Sequence, residues 1–224
     1  MLERVICLVM GYVFGLFQTG YIYGKAHGID IRDYGSGNSG TTNTLRVLGT
    51  KAGLIVLFGD CMKGIIAAIL TRVLFKGNHE DIIYLLLLYT GTGVILGHNF
   101  PFYMNFKGGK GIAATAGLIL SFHPYFIIMG VIVFFGAFLT THFVSLGSLL
   151  VYACFMIQMV ICGQAGLFEG MPQGNLIEMY IVTAFLTVMA YWKHRENIKR
   201  LLHGNERKTY LLKKNKEKAE ESKK

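Results

Sequence analysis

Residues 5–23, VICLVMGYVFGLFQTGYIY, carry no charged side chain. At about 1.5 Å per residue, such a helix nearly crosses a hydrocarbon core of about 30 Å. Further apolar segments fall near 52–75, 82–97, 111–121, 124–140, 144–163 and 176–192. In lipid every backbone polar group needs a partner within the chain. These runs are too long and too continuously apolar for barrel strands, so helices are expected. The composition agrees: 53% of the 224 residues are hydrophobic and only 16% are charged. The expected fold class is an all-α, polytopic integral membrane protein.

The distribution of Lys and Arg sets the number of crossings. Loops 24–51 and 98–110 carry Lys25, Arg32, Arg46, Lys51, Lys107 and Lys110, whereas loops 76–81 and 164–175 carry only Lys76. Residues 193–224 hold 12 of the 22 Lys and Arg against five Glu. The positive-inside rule places all three basic segments in the cytoplasm. That parity requires 111–140 to cross twice, split at Ser121–Pro124, which gives about seven transmembrane helices with an outside N-terminus. Pro124 suits the first turn of a new helix. The segment 111–121 is then only about 16 Å long, so it is expected to be buried in protein or beside a polar cavity.

Residues 1–192 therefore read as one transmembrane domain with polar loops at 24–51 and 97–111. Residues 193–224 read as a basic cytoplasmic tail: a short helix over 194–206, then a disordered Lys-rich end. On a membrane protein this tail points to anionic headgroups rather than nucleic acid. The N-terminus lacks a basic n-region and a small-residue cleavage site, so its apolar run is expected to be an anchor. Cys7, Cys61, Cys154 and Cys162 sit in apolar runs without metal-ligand spacing, and no metal or cofactor is expected.

Three polar segments stand out. The first, GSGNSGTTNTLR (35–46), contains G-x-G-x-x-G but lacks the βαβ setting of a dinucleotide fingerprint. It reads either as a flexible polar loop or as an anion cradle of glycine N–H groups, hydroxyls, amides and the Arg46 fork. The second, GHNFPFYMNFKGGKGIAAT (97–115), sets Gly108, Gly109 and Gly111 around Lys107 and Lys110 at a helix start, a setting for phosphate. Lys110 is followed by Gly111 rather than Ser or Thr, so it is not a Walker A loop. The third, HRENIKRLLHGNE (194–206), has Ile198, Leu201 and Leu202 at amphipathic spacing and puts His194 and Asn197 on one face. Within the second span, Asp60 and Lys63 at i, i+3 read either as an ion pair or as part of a site.

Taken together and in this order, these segments resemble the acyl-phosphate:glycerol-3-phosphate acyltransferase family of bacterial membranes. GDCMKG (59–64) also looks like part of that pattern, and Thr141–Leu146 resembles a further short polar connection. There His142 stands where the family leads one to expect a basic residue. The resemblance implies a site at the cytoplasmic face of the bacterial inner membrane. It implies transfer of an acyl chain from acyl phosphate to the sn-1 hydroxyl of glycerol 3-phosphate, giving lysophosphatidic acid and phosphate. On the resemblance, Ser36, Thr42, Asn43 and Arg46 hold a phosphoryl group and orient the carbonyl. Lys107, Gly108, Gly109, Lys110 and Gly111 bind glycerol 3-phosphate. His194 and Asn197 complete the catalytic set, and Asp60, Lys63, Ser145 and Glu206 support it.

No histidine has an Asp five positions on: His98 reaches Tyr103 and His194 reaches Lys199. The H-x-x-x-x-D chemistry of other glycerolipid acyltransferases is therefore not expected. Acyl phosphate is already activated, so positioning and stabilisation of the leaving phosphate carry much of the rate. The base is either the substrate's own phosphate or His194. The rival class is a small transporter for a phosphorylated metabolite. It fits less well because the polar motifs lie at one face, with no midplane site or repeat.

Overall fold

The structure is a computed structural model, and it describes residues 1–210. Ten α-helices follow in order: α1 (Leu2–Gly15), α2 (Thr19–Ala26), α3 (Thr41–Leu48), α4 (Thr50–Phe75), α5 (Ile83–Asn99), α6 (Ile112–Leu120), α7 (Pro124–Thr141), α8 (Val144–Gln164), α9 (Gln173–Lys193) and α10 (Arg195–Leu202). Among the described residues six stretches are long and apolar enough to cross a membrane: Leu2–Ala26, Thr50–Phe75, Glu80–Met104, Pro124–Thr141, Val144–Gln164 and Gln173–Lys193. Beside these six stands the short α6, the half-length segment expected within 111–121, in an all-helical membrane fold. The Lys-rich end expected to be disordered falls within 211–224, outside the described residues.

The bundle is built around α5. Its stretch is 72% buried, against 11% for α7 at the periphery. Apolar side chains gain little by leaving lipid for one another, so close backbone approach has to hold the helices. Gly11 and Gly15 of α1 face Gly93 and Gly97 of α5, and a Cβ at any of them would strike the other helix's backbone. Gly64 of α4 and Gly117 of α6 make a second seam, which lets α6 tuck inside. Six of its nine residues are buried, as a helix too short to span must be. Arg72, in the last turn of α4, caps its far end by donating to Ser121 O at 3.2 Å. Pro124 opens α7 at its first turn, as expected.

The run 5–23 is not the continuous helix expected. It breaks at 16–18, between α1 and α2, because α4 supplies a better partner for the backbone. Lys63 Nζ lies 3.3 Å from Gly15 O and 2.6 Å from Phe17 O. Asp60 Oδ1 accepts from Thr19 N and Oγ1 at 3.4 and 3.0 Å. A cation thus meets the carbonyl end of α1 and an anion the N–H end of α2. The two side chains also pair at 3.0 Å, 1% and 4% exposed, so Asp60 and Lys63 first of all hold a broken helix. Gln18 Nε2 finishes the break, donating to Gly97 O and His98 O.

The tail helix is shorter than 194–206. It stops at Leu202, where Gly204 (φ +67°) lets Asn205 N return to Arg200 O at 2.9 Å and Gly204 N to Leu201 O. Residues 205–210 then run back towards the bundle.

Candidate active site

Loops 24–51, 98–111 and 141–145 meet residues 193–210 at one end of the bundle, around a cavity of about 610 Å³. Four helices present their N-terminal residues to it: Thr41 and Thr42 of α3, Ile112 and Ala113 of α6, Val144 and Ser145 of α8, and Arg195 and Glu196 of α10. The first N–H groups of a helix have no preceding turn to bond, and its dipole is positive there. Four such ends at one cavity favour an anion.

Asn43 shapes the first loop. Its Oδ1 accepts from Ser36 N at 2.7 Å and Ser36 Oγ at 3.1 Å, while Nδ2 donates to Ile31 O and Tyr34 O, both at 3.0 Å. The amide is fully engaged. In this arrangement it folds the loop that carries Ser36, at the edge of the cavity. Gly35 (φ +63°) lies against the same amide, where a Cβ would collide. Asp30 pins the loop's other flank, and hydrogen bonding to Arg32 holds its carboxyl down to about 2. Ser36, Thr42 and Arg46 line the cavity. Arg46 Nη2 donates to Thr209 Oγ1 at 2.8 Å and Arg207 O at 3.3 Å. Burial and the neighbouring Arg207 lower its pKa, yet a guanidinium stays charged.

The second loop departs from expectation. Gly108 N and Gly109 N donate to Asn99 O (3.2 Å) and His98 O (3.0 Å), so they are not available to a phosphate. Both glycines serve space instead, since a Cβ at Gly109 would enter the His98 ring and one at Gly108 the His98 carbonyl. That ring sits 2.8 Å from Lys63 Nζ through Nδ1. Lys107 is exposed and off the cavity wall, whereas Lys110 and Gly111 lie on it. Gly111 (φ +82°) caps α6, whose first closed turn runs from Thr115 N to Gly111 O at 2.7 Å. Burial lowers the Lys110 pKa to about 8.

Lys110 Nζ donates to Asn197 Oδ1. Asn197 Nδ2 donates to Glu206 Oε1 at 2.7 Å, as does Ser145 Oγ at 3.1 Å, and Arg200 Nε donates to Oε2 at 2.7 Å. Burial alone would raise the Glu206 carboxyl, but the hydrogen bonds from Asn197 and Arg200 outweigh it and hold it low. His194 Nδ1 lies 2.8 Å from Ala190 O, so Nδ1 carries the proton and Nε2 is the acceptor. Burial, then the Lys110 charge, lowers its pKa to about 4.

Lys193, Arg200 and Arg207 also line the cavity, though nothing in the sequence alone singles them out as site residues. Lys193 sits at the end of a span, where it reads as an ordinary interfacial cation. The other flank is apolar: Leu54 and Leu57 of α4, and Phe134, Phe135 and Phe138 of α7. Leu54, Leu57 and Phe135 are exposed, so this slot opens at the bundle's apolar surface. Among the described residues no group of three or more His, Cys, Asp or Glu side chains is placed to hold a metal ion.

Residues 5–204 match the family model for glycerol-3-phosphate acyltransferase. The glycerol-3-phosphate acyltransferase of Clostridioides difficile (strain 630) is 39% identical over 207 residues, covering 91% of this chain and 94% of that protein. Its counterpart in Bacillus subtilis (strain 168) is 38% identical over 210 residues, covering 92% and 98%. The crystal structure of PlsY (YgiH), an integral membrane glycerol 3-phosphate acyltransferase, superposes in its glycerol 3-phosphate form with a TM-score of 0.77 at 33% identity, covering 92% of this chain and 96% of that one. Its lysophosphatidic acid form gives a TM-score of 0.75 at 32% identity, covering 93% and 96%. Fold, motif order and sequence agree along nearly the whole length: the chain belongs to the glycerol-3-phosphate acyltransferase family.

Proposed function

We propose that this protein transfers an acyl chain from acyl phosphate to the sn-1 hydroxyl of glycerol 3-phosphate, releasing lysophosphatidic acid and phosphate. One observation carries the reading: a cationic cavity ringed by four helix N-termini continues directly into an apolar slot. Both substrates bear a phosphoryl group and only the donor bears a long apolar chain, so a two-natured cavity suits this pair. The acyl chain lies along Leu54, Leu57 and Phe135. Ser36, Thr42 and Arg46 hold the acyl phosphoryl group, and Lys110 with the α6 N-terminus holds glycerol 3-phosphate.

The hydroxyl oxygen attacks the carbonyl carbon, the carbon–oxygen bond to phosphate breaks, and the hydroxyl proton leaves. Arg46 stabilises the charge that grows on the departing phosphate. His194 Nε2 accepts a hydrogen bond from the hydroxyl and orients it. With a pKa near 4 it is a poor final resting place for the proton, which favours a substrate phosphate. The motif end faces the cytoplasm of a bacterial cell membrane, following the basic residues of loops 24–51 and 98–110 and of the tail. Residues 1–192 act as one membrane domain and 193–224 as its basic cytoplasmic extension.

The test is an acyl-transfer assay with purified protein, labelled glycerol 3-phosphate and either acyl phosphate or acyl-CoA. Lysophosphatidic acid is expected only with acyl phosphate. Comparable turnover with acyl-CoA as sole donor would refute the proposed donor.

A further inference from the structure

The family match stops at residue 204, yet the chain beyond it reaches the cavity. Arg207 Nη1 donates to Gly35 O at 3.3 Å, tying residues 205–210 to the first loop. Thr209 N donates to His142 O at 2.9 Å, and the Tyr210 ring packs on the His142 ring at 4.8 Å between centroids. His142 ends α7 with φ +61°, a left-handed turn uncommon outside glycine. That turn presents its carbonyl to the strap. Thr209, 3% exposed, then offers its hydroxyl to Arg46 Nη2 at 2.8 Å, beside the Arg207 carbonyl at 3.3 Å.

The nature of these partners matters. A carboxylate would orient Arg46 equally well but would cancel its charge. A hydroxyl and a carbonyl fix the fork and leave the charge for an anion. Residues 205–210 contain one carboxylate, Glu206, and it is turned to Asn197, Arg200 and Ser145. Among the described residues the contacts to Thr209 and Arg207 use Nη2, which leaves Nε and Nη1 for a phosphoryl group.

We propose that Thr209 is a positioning residue for acyl transfer: anchored on His142, it holds the Arg46 guanidinium in the orientation that meets the acyl phosphoryl group. This rests on Arg46 acting on that group, as proposed above.

The experiment uses the full chain in membranes with acyl phosphate as donor. Thr209→Val keeps the shape and the N–H to His142 but removes the hydroxyl. Loss of one hydrogen bond at the transition state lowers kcat by about three- to tenfold, with KM for glycerol 3-phosphate changed by less than about twofold. Thr209→Ser should restore kcat to within about twofold. In an Arg46→Ala background, Thr209→Val should change nothing further. A merely structural Thr209 would instead add its loss in that background, and that result overturns the proposal. An unchanged kcat in Thr209→Val, beside a low kcat in Arg46→Ala, overturns the strap alone and leaves the site reading intact. An unchanged kcat in Arg46→Ala removes both. Should Thr209→Val fail to fold, Thr209→Ala gives the same comparison.

Discussion

The two ends of the bundle differ in how they partner most of their cations. At the end away from the cavity, Arg4 Nε meets Glu178 Oε1 at 2.6 Å and Nη2 meets Oε2 at 2.8 Å, and Tyr89 OH donates to the same carboxylate at 2.7 Å. The pair ties the start of α1 to α9 and α5 and is closed. At the cavity end Arg200 is closed on Glu206 in the same way, but Arg46, Lys110 and Lys193 donate to hydroxyls, amides and carbonyls. Backbone and amide partners orient a cation without neutralising it. One end is built to stay together, the other to receive an anion.

The strongest test of this difference is Arg46→Ala. Losing a charge-assisted contact made at the transition state costs about 2–4 kcal/mol, so kcat should fall roughly 30- to 1000-fold. Arg46→Lys should recover little, because an ammonium cannot reproduce the fork. Single-turnover rates in membranes containing equal amounts of folded protein decide it. A loss confined to KM would mean that Arg46 only binds ground states.

Next comes Gly109→Ala. Its methyl group would enter the ring of His98, wedged between the second loop and Lys63. Such overpacking costs about 1–3 kcal/mol. The variant should therefore lose thermal stability as well as raise the KM for glycerol 3-phosphate. A KM change with an unaltered melting temperature would return Gly109 to the direct phosphate role that its spacing implies.

Gly109 marks the boundary of what the sequence makes legible. The membrane class, the short α6 and the gathering of basic loops at one end all follow from runs and charge parity. Those are regional properties, and they survive any local detail. What the sequence hides is pairwise. Residues 5–23 look like one helix because the groups that break it, Asp60 and Lys63, lie about forty residues away. Gly108 and Gly109 look like phosphate donors because composition cannot say that His98 and Asn99 already use their N–H groups. Thr209 belongs to no motif, and only the return of the chain brings it to Arg46.

A smaller effect should appear with pH. Lys110 titrates near 8 because burial, with help from Arg200, Arg46 and Lys193, outweighs the pull of Glu206. It is an ammonium below that pH and neutral above it. The KM for glycerol 3-phosphate should therefore be flat below about 8 and approach a tenfold rise by about pH 9 if binding needs the cation. Lys110→Arg should remove the alkaline limb, since a guanidinium keeps its charge there. A limb that persists in Lys110→Arg would belong to another group, with Lys193 the next to test.

The smallest effect is expected at the closed end. Glu178→Gln leaves Arg4 half-paired, but the two side chains are 16% and 28% exposed, so water takes over part of the lost contact. Exposed pairs are worth about 0–1 kcal/mol and this partly buried one should lie at or just above that range. A lower melting temperature is expected, with unchanged kcat and KM. The double variant Arg4→Met with Glu178→Gln removes both charges and should recover part of the loss, because no unpaired cation remains. The kinetic readout is the sharper one. If Glu178→Gln changed the KM for glycerol 3-phosphate, charge at the far end would be coupled to the cavity through α9, whose last residue is Lys193. The two ends would then no longer be independent, and the contrast between a structural end and a receiving end would have to be replaced by a single connected charge network.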